Sequence, residues 1–353
     1  MPGASPLPVP VPPYGPGPPY GPGPPYRPGP PYRPRAPGWT ARPHAQPQPY
    51  LHLLRTRRHR WWKSALGLLL VGALWVGFQV VIAIAVFAHA LATGGSADDV
   101  GRVLTDVGPG SLLLTNLTLA AAIPITGVAV LLCHQERFGW LFSVLGRFRW
   151  RLLLGCVAFA VVLMALSVGV GAALPAAAGG GLPALDPPPL RELAALTAVF
   201  ALTTPLQAAG EEFLFRGYLA QAIGSWIPSR VAALLITAPI TATLFAFAHG
   251  VQDPWLFADR WGFGLAASLL VWLTGGLEAS IALHAVNNLA AFAVGTLTGT
   301  LSESVNSTEA AEGAVIVDLV IVALFTAGVG LWAIRRSVPR LSDAPAGGPF
   351  WIP

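Results

Sequence analysis

Three groups of polar side chains interrupt stretches of this chain that are otherwise apolar. The first is Gly210-Glu211-Glu212-Phe213-Leu214-Phe215-Arg216, which follows an apolar run from Leu193 to Ala209 and is itself followed by more apolar sequence. Insertion scales put an acidic residue at mid-membrane at about 2.5–3.5 kcal/mol, so two adjacent carboxylates in such a run are costly. Glu212 and Arg216 are four apart, share a helix face and can pair. Glu211 projects about 100° away and is left without that partner. The second group is His249, with Phe245 one turn before it and placed to wall one side of the imidazole. The third is His284 with Asn288, again four apart and on one helix face.

Each group alone has an ordinary explanation. Charges can gather at a helix end beside lipid headgroups, a lone histidine can bond a neighbouring carbonyl, and His and Asn commonly hydrogen-bond between membrane helices. Taken together they contain the parts of a hydrolytic site. A buried glutamate can deprotonate a water, because burial raises its pKa toward the useful range. A histidine can share that water and pass the proton to a leaving amine. A His and an Asn one turn apart can both donate to a developing oxyanion.

Long apolar helices must hold these groups. The chain has 353 residues, of which 54% are hydrophobic and 10% charged. Soluble domains carry about 25% charged residues. Eight apolar segments are expected, at roughly 64–91, 111–133, 152–174, 193–218, 231–250, 263–273, 281–297 and 314–334. The fold class is therefore an all-α polytopic membrane protein with about eight transmembrane helices. The two cysteines, Cys133 and Cys156, lie at or inside apolar segments and read as small packing residues rather than a disulfide or metal framework. If the fifth helix begins with its apolar run, His249 falls too far along the helix to meet Glu211. The site closes if the fourth helix carries its glutamates near mid-depth and the fifth starts late, and the late start is the expectation.

The order Glu-Glu-x-x-x-Arg, Phe-x-x-x-His and His-x-x-x-Asn on successive membrane segments resembles the three motifs of the CAAX-protease and bacteriocin-processing (CPBP, or Abi) family. The likeness covers roughly residues 193–291. It implies an eight-helix intramembrane fold and a glutamate-dependent endopeptidase acting on a membrane-associated peptide or protein. Carried over by residue, it implies Glu211 as the water-activating base, His249 as its partner, and His284 with Asn288 as the oxyanion pair. Glu212 and Arg216 become a supporting ion pair, with Phe245 beside them. Family members have been labelled metalloproteases. No His-Glu-x-x-His zinc helix is present in the sequence, although Glu211, His249 and His284 are what a His₂Glu site would draw on. The expectation is that no cofactor is required, with zinc the lesser alternative.

The remaining sequence frames this core. Residues 1–60 form an expected disordered cytoplasmic tail, in which Pro-Pro-Tyr recurs at Tyr14, Tyr20, Tyr26 and Tyr32 with polyproline II character. The tail is a spacer or a ligand for an unknown partner. It ends in Arg55, Arg57, Arg58, Arg60 and Lys63 around Trp61 and Trp62, a juxtamembrane anchor. The helical domain is expected over 61–340, followed by a short tail at 341–353. Arg137, Arg147, Arg149, Arg151, Arg216, Arg230, Arg335, Arg336 and Arg340 fall on the same side as that anchor, and Arg102, Arg191 and Arg260 on the other. The bias predicts a multi-pass cell-membrane protein with both termini cytoplasmic, and it reads as orientation rather than nucleic-acid binding. Two other classes stand beside the peptidase: an adaptor using the proline-rich tail, and a transporter, for which the internal symmetry is lacking.

Overall fold

The computed structural model describes residues 44, 46–56, 58–94, 101, 107–177 and 182–342. These contain eight helices long and apolar enough to cross a membrane. We label them α1 (Trp61–Ala92), α2 (Pro109–His134), α3 (Trp150–Ala177), α4 (Leu190–Gly224), α5 (Arg230–Phe247), α6 (Pro254–Thr274), α7 (Glu278–Leu297) and α8 (Glu312–Arg335). Among the described residues the extended pairings are two isolated bridges, Pro49 with Leu341 and Ser143 with Gly276. The expected all-α membrane architecture is thus observed.

Helices α4 and α7 pack against each other at the centre, with α2 on the far flank of α4 and α3 on that of α7. Helices α5, α6 and α8 follow one another along the side, and α1 leans on the end of α2 and the last turns of α4. The α2–α4 approach is close because Gly210 has no side chain. A Cβ there would lie 2.3 Å from the Leu119 carbonyl oxygen and 2.9 Å from the Ala120 Cα. Small residues at such crossings let membrane helices approach backbone to backbone.

Two helix boundaries differ from expectation for local reasons. Helix α6 begins at Pro254 instead of near 263. Asp253 caps it by accepting from the Leu256 amide at 2.8 Å, and proline suits the first helical position. Its charged Arg260 is tolerated because Nη1 donates to Gln252 Oε1 at 2.7 Å. Helix α5 does not start late. Ser229 caps it by accepting from the Ala232 amide, so it begins at Arg230, where the apolar run begins. The glutamates instead lie well before the end of α4. Its α-helical part ends at Glu212, a π-helical stretch follows over Phe213–Leu219, and α-helix resumes to Gly224. At about 1.5 Å per residue this carries the glutamates roughly 20 Å above the C-terminal end of α4.

At the opposite end of the site, Arg149 and Glu278 fix the start of α7. Arg149 Nε donates to Glu278 Oε1 at 2.9 Å and Nη2 to Oε2 at 2.6 Å, while Nη1 donates to the Thr274 carbonyl at 2.8 Å. The Glu278 side chain is fully buried. A bidentate pair of this kind is both strong and geometrically selective.

The helical domain also starts before residue 61. Tyr50–His52 form a turn of 3-10 helix, and Tyr50, Leu51, Leu53 and Leu54 are buried in a core with Trp140, Phe213, Tyr218 and Leu277. Tyr50 donates its hydroxyl to the Leu141 carbonyl. Leu341 and Ser342 lie alongside, where the Ser342 amide donates to the Gln48 carbonyl. The Pro-Pro-Tyr repeats and residues 343–353 lie outside the described residues.

Candidate active site

Glu211 and Glu212 occupy the last turn of the α-helical part of α4, just before the π-helical stretch that carries Arg216. Insertions of this kind in membrane and soluble helices alike gather at functional positions, because they rotate side chains out of the regular register. Arg216 Nη1 still reaches Glu212 Oε1 at 2.9 Å, so the expected ion pair forms, with the Arg216 side chain 1% exposed and that of Glu212 fully buried. Arg216 Nε and Nη2 have no hydrogen-bond partner among the described residues. The guanidinium carbon lies 4.3 Å from the Phe245 ring centroid, where the ring face supplies an attraction in their place.

Glu211 is not left alone, as its angular separation from Arg216 suggested. Gln207, one turn earlier on α4, donates Nε2 to Glu211 Oε1 at 2.7 Å. The second carboxylate oxygen, Oε2, is buried without a hydrogen bond and faces His284 Nε2 at 3.5 Å. His284 spans the two glutamates, because its Nδ1 lies 3.0 Å from Glu212 Oε1. Asn288 donates Nδ2 to Gln207 Oε1 at 3.1 Å. Gln207 therefore joins Glu211 on α4 to Asn288 on α7, and the two donors expected to act as a pair are both engaged by α4 side chains.

His249 lies two residues beyond the end of α5, in a turn closed by Gly250 at φ +84°. Its Nδ1 donates to the Phe245 carbonyl at 2.8 Å. In the neutral ring that bond leaves Nε2 as the basic nitrogen. The imidazole packs edge-on to Phe245 with centroids 4.7 Å apart, so Phe245 does wall one side of it. The same Phe245 ring meets His284 at 5.7 Å, and Phe263 meets His284 at 5.1 Å. Phe245 thus sits against His249, His284 and Arg216 at once. His249 remains accessible on its other side. Desolvation of its packed face holds its pKa below the ordinary 6.5. The Glu211 charge and the Phe245 carbonyl oppose that shift, and Arg260 and His284 add to it.

All seven residues singled out in the sequence fall in this one cluster. Gln207 was missed. Its signal was a polar side chain one turn before Glu211 in an apolar run, and Thr203 and Thr204 extend the same polar stripe to Asn116 of α2. Asn116 Nδ2 donates to their hydroxyls at 2.8 and 3.2 Å. Among the described residues no three His, Cys, Asp or Glu side chains are grouped to hold a metal ion.

Carboxylates, imidazoles and amides thus converge within a helical membrane bundle. Residues 193–290 match the family model described as type II CAAX prenyl endopeptidase Rce1-like. That stretch holds Glu211, His249, His284 and Asn288, and over it the match bears out the resemblance carried by the three motifs. No curated protein and no solved structure matches the chain.

Proposed function

We propose that this protein is an intramembrane endopeptidase that hydrolyses a peptide bond of a membrane-associated protein or peptide. The observation that carries the reading is the Glu211 carboxylate, with one oxygen held by Gln207 and the other free of hydrogen bonds beside His284. In this mechanism Glu211 Oε2, with His249 Nε2, takes a proton from water as its oxygen adds to the scissile carbonyl carbon. The resulting oxyanion accepts hydrogen bonds from Asn288 and His284, which turn from their partners on α4 toward the substrate. The proton then passes to the amide nitrogen, the C–N bond breaks, and a carboxylic acid and an amine leave. Arg216 pairs with Glu212, and Glu212 holds the His284 ring in place. No step is routed through a metal.

The placement that accompanies this reading is the cell membrane, with both termini cytoplasmic. The bias of arginine and lysine among the connections supports it.

The test is cleavage of endogenous membrane peptides, followed by mass spectrometry in cells carrying wild-type protein, Glu211→Gln or His249→Ala. Both variants are expected to insert normally and to lose cleavage by at least about a hundredfold. Wild-type rates in either variant would end the proposed mechanism.

A further inference from the structure

Far from the glutamates, the start of α1 and the end of α4 enclose an open cavity of about 520 Å³, lined by Arg55, His59, Trp61, Ala65, Ser225 and Trp226. Its walls are tied together. Ser64 Oγ and Ser225 Oγ are 2.9 Å apart, and Trp226 Nε1 donates to the Trp61 carbonyl at 3.0 Å. No lining residue is acidic, and the Arg55 guanidinium has no acidic partner among the described residues. His59 Nδ1 is buried there without a hydrogen bond. Burial first, then Arg55, and lastly Arg60 and Lys63 alongside hold the His59 pKa below its ordinary value, opposed by the Leu54 backbone. Glu136 is not among the lining residues, and its partners are Thr56, His44, Arg58 and Lys63. The α1 N-terminus is uncapped by any side chain, which adds a modest positive potential.

We propose that this cavity binds the anionic headgroup of a glycerophospholipid. Three features favour a lipid over a soluble anion. Indole rings of Trp61, Trp62 and Trp226 are exposed around the mouth, as at a membrane–water interface. Directly along α1 from the mouth, Leu66 and Leu69 are exposed, Leu69 by 72%, and offer apolar surface for acyl chains. The cavity is also basic where a zwitterionic headgroup would need an acidic partner for its amine. Basic pockets between membrane helices suit anionic headgroups through this combination of charge and apolar flank. Occupancy would clamp α1 to the turn after α4 through its two lining tryptophans.

The test is thermal unfolding of the purified full chain in a zwitterionic detergent, titrated with dihexanoyl phosphatidylglycerol, dihexanoyl phosphatidylcholine or sodium phosphate. Phosphatidylglycerol is expected to raise Tm in a saturable way, and the other two are expected not to. Arg55→Gln should weaken the apparent affinity about tenfold. Ala65→Trp, which fills the cavity without changing charge, should abolish the response, and Arg335→Gln on distant α8 should leave it unchanged. Either cavity variant suffices where the other fails to fold. An equal response to phosphate would make this a soluble-anion site, and an equal response to phosphatidylcholine or an unaltered response in the cavity variants would remove the site altogether.

Discussion

In the proposed mechanism Glu211 has one oxygen for chemistry because Gln207 takes the other, and the same amide group restrains Asn288. Replacing Gln207 by leucine preserves the helix and the volume but releases both partners. Gln207→Leu is expected to lower kcat by about a hundredfold with little change in KM, since displacement of a reacting group by about 1 Å carries that cost. A raised KM with kcat unchanged would assign Gln207 to substrate binding instead. His249 gives a pH signature. With its pKa held below 6.5, the ring is neutral and basic at neutral pH, and activity is expected to fall only as pH drops through that lowered value. Arg260 contributes to the lowering, so Arg260→Gln should move the acid limb of kcat/KM upward. An unmoved limb would place the controlling group elsewhere. The glutamates, histidines and Asn288 were legible because charged and amide groups are rare in apolar runs. Gln207 was not, because a single Gln beside threonines is unremarkable until its partner, far along the chain, is brought next to it.

At the scale of the helix, the site depends on how α4 meets α2 and on where α4 stops being regular. Gly210 immediately precedes Glu211 and Glu212, and a side chain there meets the Leu119 carbonyl within contact distance. Gly210→Val is expected to destabilise the protein by about 1–3 kcal/mol through overpacking, read as a lowered Tm in detergent. It should also cost activity, because relief of the clash would shift Glu211. A Tm unchanged by Gly210→Val would show that α2 yields freely. The eight apolar segments were readable from composition and length. The start of α6 was hidden by Asp259 and Arg260, which break the apolar run although the Asp253-Pro254 cap has already begun the helix. The π-helical stretch had no sequence signal at all, because its register is set by tertiary fit around Arg216 and not by the apolar pattern.

In the molecule as a whole, a segment that reads as tail supplies core. The aromatic and aliphatic residues from Tyr50 to Leu54 pack against the end of α4, α5 and α6, though proline-rich sequence before them and basic sequence after them disguised the run. Packing of this kind closes the bundle beneath the site. The Arg149–Glu278 pair adds a restraint of a different sort. Bilayers vary in thickness, and helices usually adapt by tilting or sliding at a cost of fractions of a kcal/mol per ångström. Helix α7 is pinned at its first residue by a buried two-pronged bond to the segment before α3, so sliding would break a contact worth far more than the mismatch. His284, less than two turns along α7, therefore keeps its height relative to the glutamates when the surrounding lipid is thinned or thickened. The register of this cluster belongs to the protein and not to the membrane around it.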